Sequence, residues 1–274
     1  MNRADLVRII KDKQSFLCVG LDTDINKIPS ILRSEKNPIL SFNKAVIEAT
    51  HDLCVAYKPN LAFYEAYGSK GLQALEETMG FVPDNVFTIA DAKRGDIGNT
   101  AEKYAKAYFE EMGFDSVTVA PYMGADSVMP FLKFKDKWVI LLALTSNAGS
   151  TDFQMIKADD GKYLFEHVMR KSCEWGSPEQ LMFVIGATHP EKIAQIRSIA
   201  PNNFFLVPGV GAQGGDLQGI AEHGLNKDIG LLINSSRGII YAGGNRSDFQ
   251  EHIRAAALKL QKEMSEILTK KGLV

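Results

Sequence analysis

The chain has 274 residues, 45% of them hydrophobic and 23% charged, with a formal net charge of −2. That balance describes a globular protein with a sizeable core; no basic block speaks for nucleic acid, and no run of roughly 18 apolar residues speaks for a membrane span. Cys18, Cys54 and Cys173 are odd in number and widely spaced, and the first two lie in apolar runs, so buried free thiols are expected rather than a disulfide or zinc framework.

Residues 1–16 carry Arg3, Asp5, Arg8, Lys11, Asp12 and Lys13 where a secretory signal would need an apolar centre, so a cytoplasmic location is expected. Residues 16–20 form the first short apolar run, which predicts a strand, and Asp22 follows it. A polar loop then extends over residues 22–40. The second run, residues 53–57, ends in Lys58. The third, residues 86–90, leads directly into Asp91-Ala92-Lys93-Arg94-Gly95-Asp96. Side chains alternate faces along a strand, so Asp91 and Lys93 are expected to share one face, with Ala92 turned away and Asp96 on the loop beyond. After this motif, Asn99 with Glu102 three residues on reads as a helix start, Tyr104, Ala105, Tyr108, Phe109 and Met112 as its apolar face, and Gly113 as its stop.

Further runs occur at residues 116–120, 139–144, 182–186, 204–207 and 230–234. Ser146 follows the fifth and opens a second mixed loop that extends to residue 161. Gly209-Val-Gly-Ala-Gln-Gly214 follows the seventh, and Arg237 the eighth. From Ser247, apolar residues at helical spacing (Phe249, Ile253, Ala256, Ala257, Leu260, Met264, Ile267, Leu268) predict a long final helix packed on the core. His51, His167, His189, His223 and His252 have no metal-ligand spacing with one another or with the cysteines, and no metal is expected.

Eight strand–helix units over the full chain predict a single α/β domain, residues 1–274, folded as a (β/α)8 TIM barrel with its site at the C-terminal strand ends. The rival is an open doubly wound sheet, to which the glycine pattern at 209–214 gives superficial support as a dinucleotide loop. It follows the seventh strand instead of opening a first βαβ unit, and Asn234, not an acid, stands about 20 residues beyond it. In a barrel, the loops after strands 7 and 8 commonly form a phosphate site, here carrying Gln213 and Arg237: glycine lets the backbone approach, and guanidinium makes a forked, charge-assisted contact.

Asp91-Ala-Lys-Arg-Gly-Asp96 with Ile97-Gly-Asn-Thr100, Ala56-Tyr-Lys-Pro-Asn60 with Ala62-Phe-Tyr-Glu65, and Val207-Pro-Gly-Val-Gly-Ala-Gln213 together resemble the orotidine 5'-phosphate decarboxylase family, in its longer bacterial form, along the whole chain. The resemblance implies a cofactor-free and metal-free carboxy-lyase that converts orotidine 5'-phosphate to UMP and carbon dioxide in pyrimidine synthesis. It implies a homodimer in which Asp96 and Thr100 reach the neighbouring subunit's site. By the same resemblance Lys58, Asp91, Lys93 and Asp96 form an alternating charge network with Lys93 as proton donor. Asp22 and Thr100 would hold ribose hydroxyls, Ser146 the pyrimidine, and Gln213 and Arg237 the phosphate. Two other functions stay open at this level: a magnesium-dependent sugar-phosphate enzyme on a related barrel, which would place an acid where Lys58 stands, and a non-catalytic binder of nucleotide phosphates.

Overall fold

In the computed structural model, which describes residues 1–187, 190–209 and 216–274, the eight predicted strands are present and form a closed barrel in sequential order. They are β1 Leu17–Gly20, β2 Ala56–Lys58, β3 Phe87–Arg94, β4 Ser116–Val119, β5 Trp138–Leu144, β6 Leu181–Ile185, β7 Phe205–Pro208 and β8 Leu231–Ser235. The helices of the first half are α1 Arg3–Lys13, α2 Pro38–Thr50, α3 Ala62–Glu65, α4 Gly68–Met79, α5 Gly98–Lys106 and α6 Met129–Leu132. Those of the second half are α7 Ser150–Phe153, α8 Leu164–Ser172, α9 Pro190–Ile199, α10 Leu217–Gly224, α11 Arg237–Ile240 and α12 Phe249–Lys270. The paired strands run parallel, in register Val19↔Tyr57 for β1 and β2 and Val117↔Val139 for β4 and β5. With helices covering them, both faces of β1, β4, β6 and β8 are buried, which is why these strands read as continuous apolar runs rather than alternating ones.

Two compact units are distinguished along the chain. One comprises residues 1–7, 93–233 and 273; the other comprises residues 8–92, 234–272 and 274. In the first, the core gathers Trp138, Phe183, Phe204 and Phe205, all fully buried, and Trp138 meets Phe204 edge to face. Arg3 donates to the carbonyls of Pro178 and Asn202, which fastens α1 at its start. In the second unit, α12 turns Phe249, Ile253, Ala257, Met264, Ile267 and Leu268 inward, as the apolar spacing predicts.

Some boundaries differ from the sequence reading. Strand β2 begins at Ala56, three residues later than expected, and includes Lys58. Strand β3, by contrast, runs through Asp91 and Lys93 as the sequence reading has it, and ends at Arg94. Asn99 does not cap its helix; α5 begins at Gly98, whose φ of 55° suits glycine, with Ile97 at the cap position. The same helix passes into a π-helical segment, Ala107–Glu111, before Gly113 ends it at φ 73°. Cys18 and Cys54 are buried free thiols as expected, whereas Cys173 is exposed.

The loop after β1 is held by a buried polar network that apolar periodicity does not reveal. The Thr23 hydroxyl donates to Asn43 Oδ1 at 2.5 Å, Asn43 Nδ2 donates to Tyr64 and Thr78 hydroxyls at 3.0 Å each, and the Tyr64 hydroxyl donates to the Leu21 carbonyl at 2.9 Å. Asn43 is fully buried, so every one of these bonds stands in a low-dielectric setting. Replacing Asn43 with leucine leaves the Thr23 hydroxyl without its acceptor. The substitution is expected to lower stability by about 1–3 kcal/mol, measured by urea unfolding.

Candidate active site

The second unit contains a lysine where a core position would ordinarily be apolar. Lys58, at the end of β2, keeps only 5% of its side chain exposed, and its Nζ donates to Asp91 Oδ2 at 2.7 Å. Asp22 Oδ1 lies 3.9 Å from the same ammonium. Register explains the meeting: β1 and β2 pair Gly20 with Lys58, and Asp91 N donates to the Pro59 carbonyl at 3.1 Å, which sets the ends of β2 and β3 side by side. Burial is the largest influence on Lys58 and would lower its pKa. The carboxylates of Asp91 and Asp22, together with the hydrogen bond, outweigh it and hold the group above the ordinary lysine value. Among the described residues, no group of three or more histidines, cysteines or acids is placed to bind a metal ion.

Below Lys58 on β1, the Cys18 thiol is pushed up in pKa by burial and lies 3.6 Å from Asn234 Oδ1. Gly20 follows. A β-carbon there would sit 1.7 Å from Ser236 Oγ, so the glycine is required by the close approach of β8 and not by its φ. Among the described residues, Asp22 Oδ1 and Ser236 Oγ are buried without a hydrogen-bond partner. Buried polar atoms are nearly always paired, so both have bonding capacity that a water, an ion or a ligand would complete. Arg237, next along the chain, is exposed at the start of α11.

The first unit carries the remainder of the motif. Lys93 is exposed, and its backbone adopts φ 47°, a left-handed conformation rare for a residue with a β-carbon. Its amide donates to Thr118 Oγ1 of β4 at 2.8 Å, which fastens this irregular point from the neighbouring strand. The regular alternation argued from sequence therefore ends at Ala92. Neither the strain nor Thr118 carries a motif that would have shown it beforehand. Beyond Lys93, the Arg94 guanidinium lies 5.4 and 5.5 Å from the rings of Tyr104 and Tyr108, on α5 and its π-helical continuation. Asp96 is half-buried, its Oδ1 accepting from the Ile97 amide at 2.8 Å. Thr100 is exposed, in a groove with Ile97, Asp126 and Met129.

Ser146 is half-buried after β5, in a loop that Gln154 of the same unit fastens: Thr145 N donates to Gln154 Oε1 at 2.7 Å, and Gln154 Nε2 donates back to the Thr145 hydroxyl at 2.9 Å. A β-carbon on Gly186 would approach the Ser146 amide to 2.7 Å, so β6 passes this loop closely. Gln213 and most of the glycine loop lie outside the described residues; Gly209, at its start, has φ 101°.

Residues 15–251 match the model of the orotidine 5'-phosphate decarboxylase / HUMPS family. The chain belongs to this family. Among relatives, an orotidine 5'-phosphate decarboxylase of Parabacteroides distasonis is 57% identical over 277 residues, spanning 100% of this chain and 99% of that protein. The structure of the Leishmania donovani OMP decarboxylase is similar with a TM-score of 0.83 at 38% identity, over 97% of this chain and 99% of the other. The Leishmania donovani UMP synthase matches at the same TM-score of 0.83 and 39% identity, over 94% of this chain but only 55% of that longer one. Within the family's barrel, the expected site residues Asp22, Lys58 and Asp91 form one cluster in the second unit, whereas Lys93, Asp96, Thr100 and Ser146 are carried by the first.

The Lys58–Asp91 pair has a definite pH signature. A lysine whose folded pKa lies above its unfolded value of 10.5 contributes stability that is fully present below that pH and lost on moving above it. Asp91→Ala removes the 2.7 Å partner and leaves burial as the main influence on Lys58. The variant is expected to lose about 3–5 kcal/mol at neutral pH. Because the lysine pKa then falls, the deficit should shrink as pH rises toward 10.5, measured by urea unfolding across a pH series.

Proposed function

We propose that this chain decarboxylates orotidine 5'-phosphate to UMP and carbon dioxide, as a carboxy-lyase of pyrimidine nucleotide synthesis acting without metal or organic cofactor. The observation that carries the reading is the Lys58–Asp91 ion pair at the ends of β2 and β3, with the strained Lys93 two residues further along the chain from Asp91, in a chain of this family. Loss of carbon dioxide from C6 of the pyrimidine leaves an electron pair on a ring carbon with no adjacent acceptor to delocalise it. Stabilisation must then be electrostatic, from groups already in place. At about 4 Å, an ammonium opposite a unit negative charge is worth on the order of 4 kcal/mol at an effective dielectric of ~20.

Lys93 is assigned this role and the delivery of the proton to C6. Its left-handed backbone supports the assignment, since strain of this kind persists only where the surroundings enforce it. Lys58 neutralises and orients Asp91, which in turn positions Lys93. Asp96 completes the alternation of charge. Asp22 and Thr100 hold ribose hydroxyls; the buried Asp22 Oδ1, with no hydrogen bond among the described residues, suits an acceptor for such a hydroxyl. Ser146 bonds the pyrimidine ring. Arg237 and Gln213 bind the phosphate, remote from the bond that breaks, so their binding energy acts by closing the site, excluding water and aligning the charges.

The working unit is assigned as a cytoplasmic homodimer in which Asp96 and Thr100 serve the neighbouring site. Exposed apolar side chains in the groove that holds Thr100 support this: Ile97 is 53% exposed and Met129 48%. The protein is expected to sediment as a dimer at micromolar concentration, and Met129→Lys to yield monomer with turnover lost; a fully active monomer would contradict the shared site.

The activity itself is tested by the fall in orotidine 5'-phosphate absorbance on adding purified protein treated with EDTA. Turnover should survive the chelator. Lys93→Ala should abolish it while UMP still binds, because the ammonium acts chiefly on the carbanion-like state. Turnover within about tenfold of the parent, one decade of rate or 1.4 kcal/mol, would contradict the role of Lys93.

A further inference from the structure

We propose that Tyr241 is a positioning residue for the substrate: it braces the loop that carries Asp22 against the segment that begins at Arg237, and so holds the ribose-binding acid in register with the phosphate-binding cation. The inference rests on the assignment of Asp22 above. Tyr241 follows α11, and its amide donates to the Arg237 carbonyl at 3.3 Å. Its hydroxyl donates to the Asp22 carbonyl at 2.9 Å and accepts from the Asp24 amide at 2.7 Å. The ring stacks on Phe42 of α2, with centroids 5.7 Å apart and planes 9° from parallel, and Lys27 Nζ stands over it at 5.7 Å. Burial raises the hydroxyl pKa to about 12, so it remains a donor throughout the range in which the protein works.

Residues 21–24 are thereby tied one after another. The Leu21 carbonyl accepts from Tyr64, the Asp22 carbonyl from Tyr241, the Thr23 hydroxyl donates to Asn43, and the Asp24 amide donates to Tyr241. Farther along the loop, Ser30 N donates to Asn245 Oδ1, a second tie between this loop and the chain after α11. The Asp22 side chain differs from its backbone. Its Oδ1 is buried and has no hydrogen-bond partner among the described residues. A carboxylate on an immobilised backbone, whose Oδ1 faces the Lys58 ammonium at 3.9 Å but accepts no hydrogen bond among the described residues, is an acceptor set in place before the ligand arrives, which is how positioning lowers the entropic cost of binding. Tyr241 contacts no reacting atom; it acts through Asp22.

The test is a double-mutant cycle of Tyr241→Phe and Asp22→Ala. Phenylalanine keeps the stacking on Phe42 and removes only the hydroxyl, and thermal unfolding of each variant checks that the fold is retained. The measurements are kcat and KM for orotidine 5'-phosphate and the Kd of UMP. Tyr241→Phe should raise KM and the UMP Kd three- to tenfold while kcat changes less than twofold. In the Asp22→Ala background the same change should have less than a twofold effect, because the group it positions is gone. Effects that multiply in the double variant, or a Tyr241→Phe enzyme with unaltered KM, would overturn the inference while leaving Asp22 as a ligand-binding residue. An Asp22→Ala enzyme that binds UMP and substrate normally would instead overturn the assignment of Asp22, and the inference would fall with it.

Discussion

The contact between Lys58 and Asp91 is the constraint around which the second unit is arranged. A lysine ammonium with 5% of its side chain exposed is tolerable only when its charge is matched at short range, and Asp91 does so at 2.7 Å. Pairs of this kind seldom add stability when compared with well-packed apolar residues of the same volume. A chain selected for stability alone would place leucine or methionine at both positions. Their presence at the ends of β2 and β3 fits the proposed chemistry, which calls for fixed charge of both signs. At Lys93 the backbone takes a strained, left-handed φ, and its amide donates to Thr118 of β4.

The structure separates rigid support from the groups it presents. Asn43, Tyr64 and Thr78 form a hydrogen-bonded cluster under the first loop, and Gln154 fastens the loop after β5 in a similar way. Arg94 against Tyr104 and Tyr108 gives the loop after β3 a cation–π anchor. In each case a polar or aromatic side chain fixes backbone next to a proposed substrate contact: Asp22, Ser146 or Asp96. The supporting residues touch no proposed substrate atom, yet they determine how closely the contacting ones are held.

The barrel was legible in the sequence because buried parallel strands leave an unambiguous mark: apolar runs such as residues 139–144 or 182–186, each followed by helical periodicity. The charged motif was legible because Asp91, Lys93 and Asp96 lie close together along the chain, and because Lys58 ends an apolar run. What escaped the reading depends on contacts between segments far apart. The left-handed Lys93 is bonded through its amide to Thr118, 25 residues away, a contact that no local pattern announces. Asn99 had the composition of a cap, but Gly98 could take a positive φ, and the helix started there instead. Tyr241 shows the limit most plainly: its partners lie 217 and 219 residues earlier in the chain.

That separation bears on how the protein is made. The second compact unit is assembled from residues 8–92 and 234–272, so its first piece leaves the ribosome well before its second. Until the later piece emerges, the loop after β1 lacks its tyrosine partner, and the glycine at position 20 lacks the serine that fills the space beside it. Non-local pairings of this span are slow to form and leave apolar strand surface uncovered meanwhile. A nascent chain halted before residue 241 therefore holds Asp22 and Lys58 without the tyrosine that braces the loop between them.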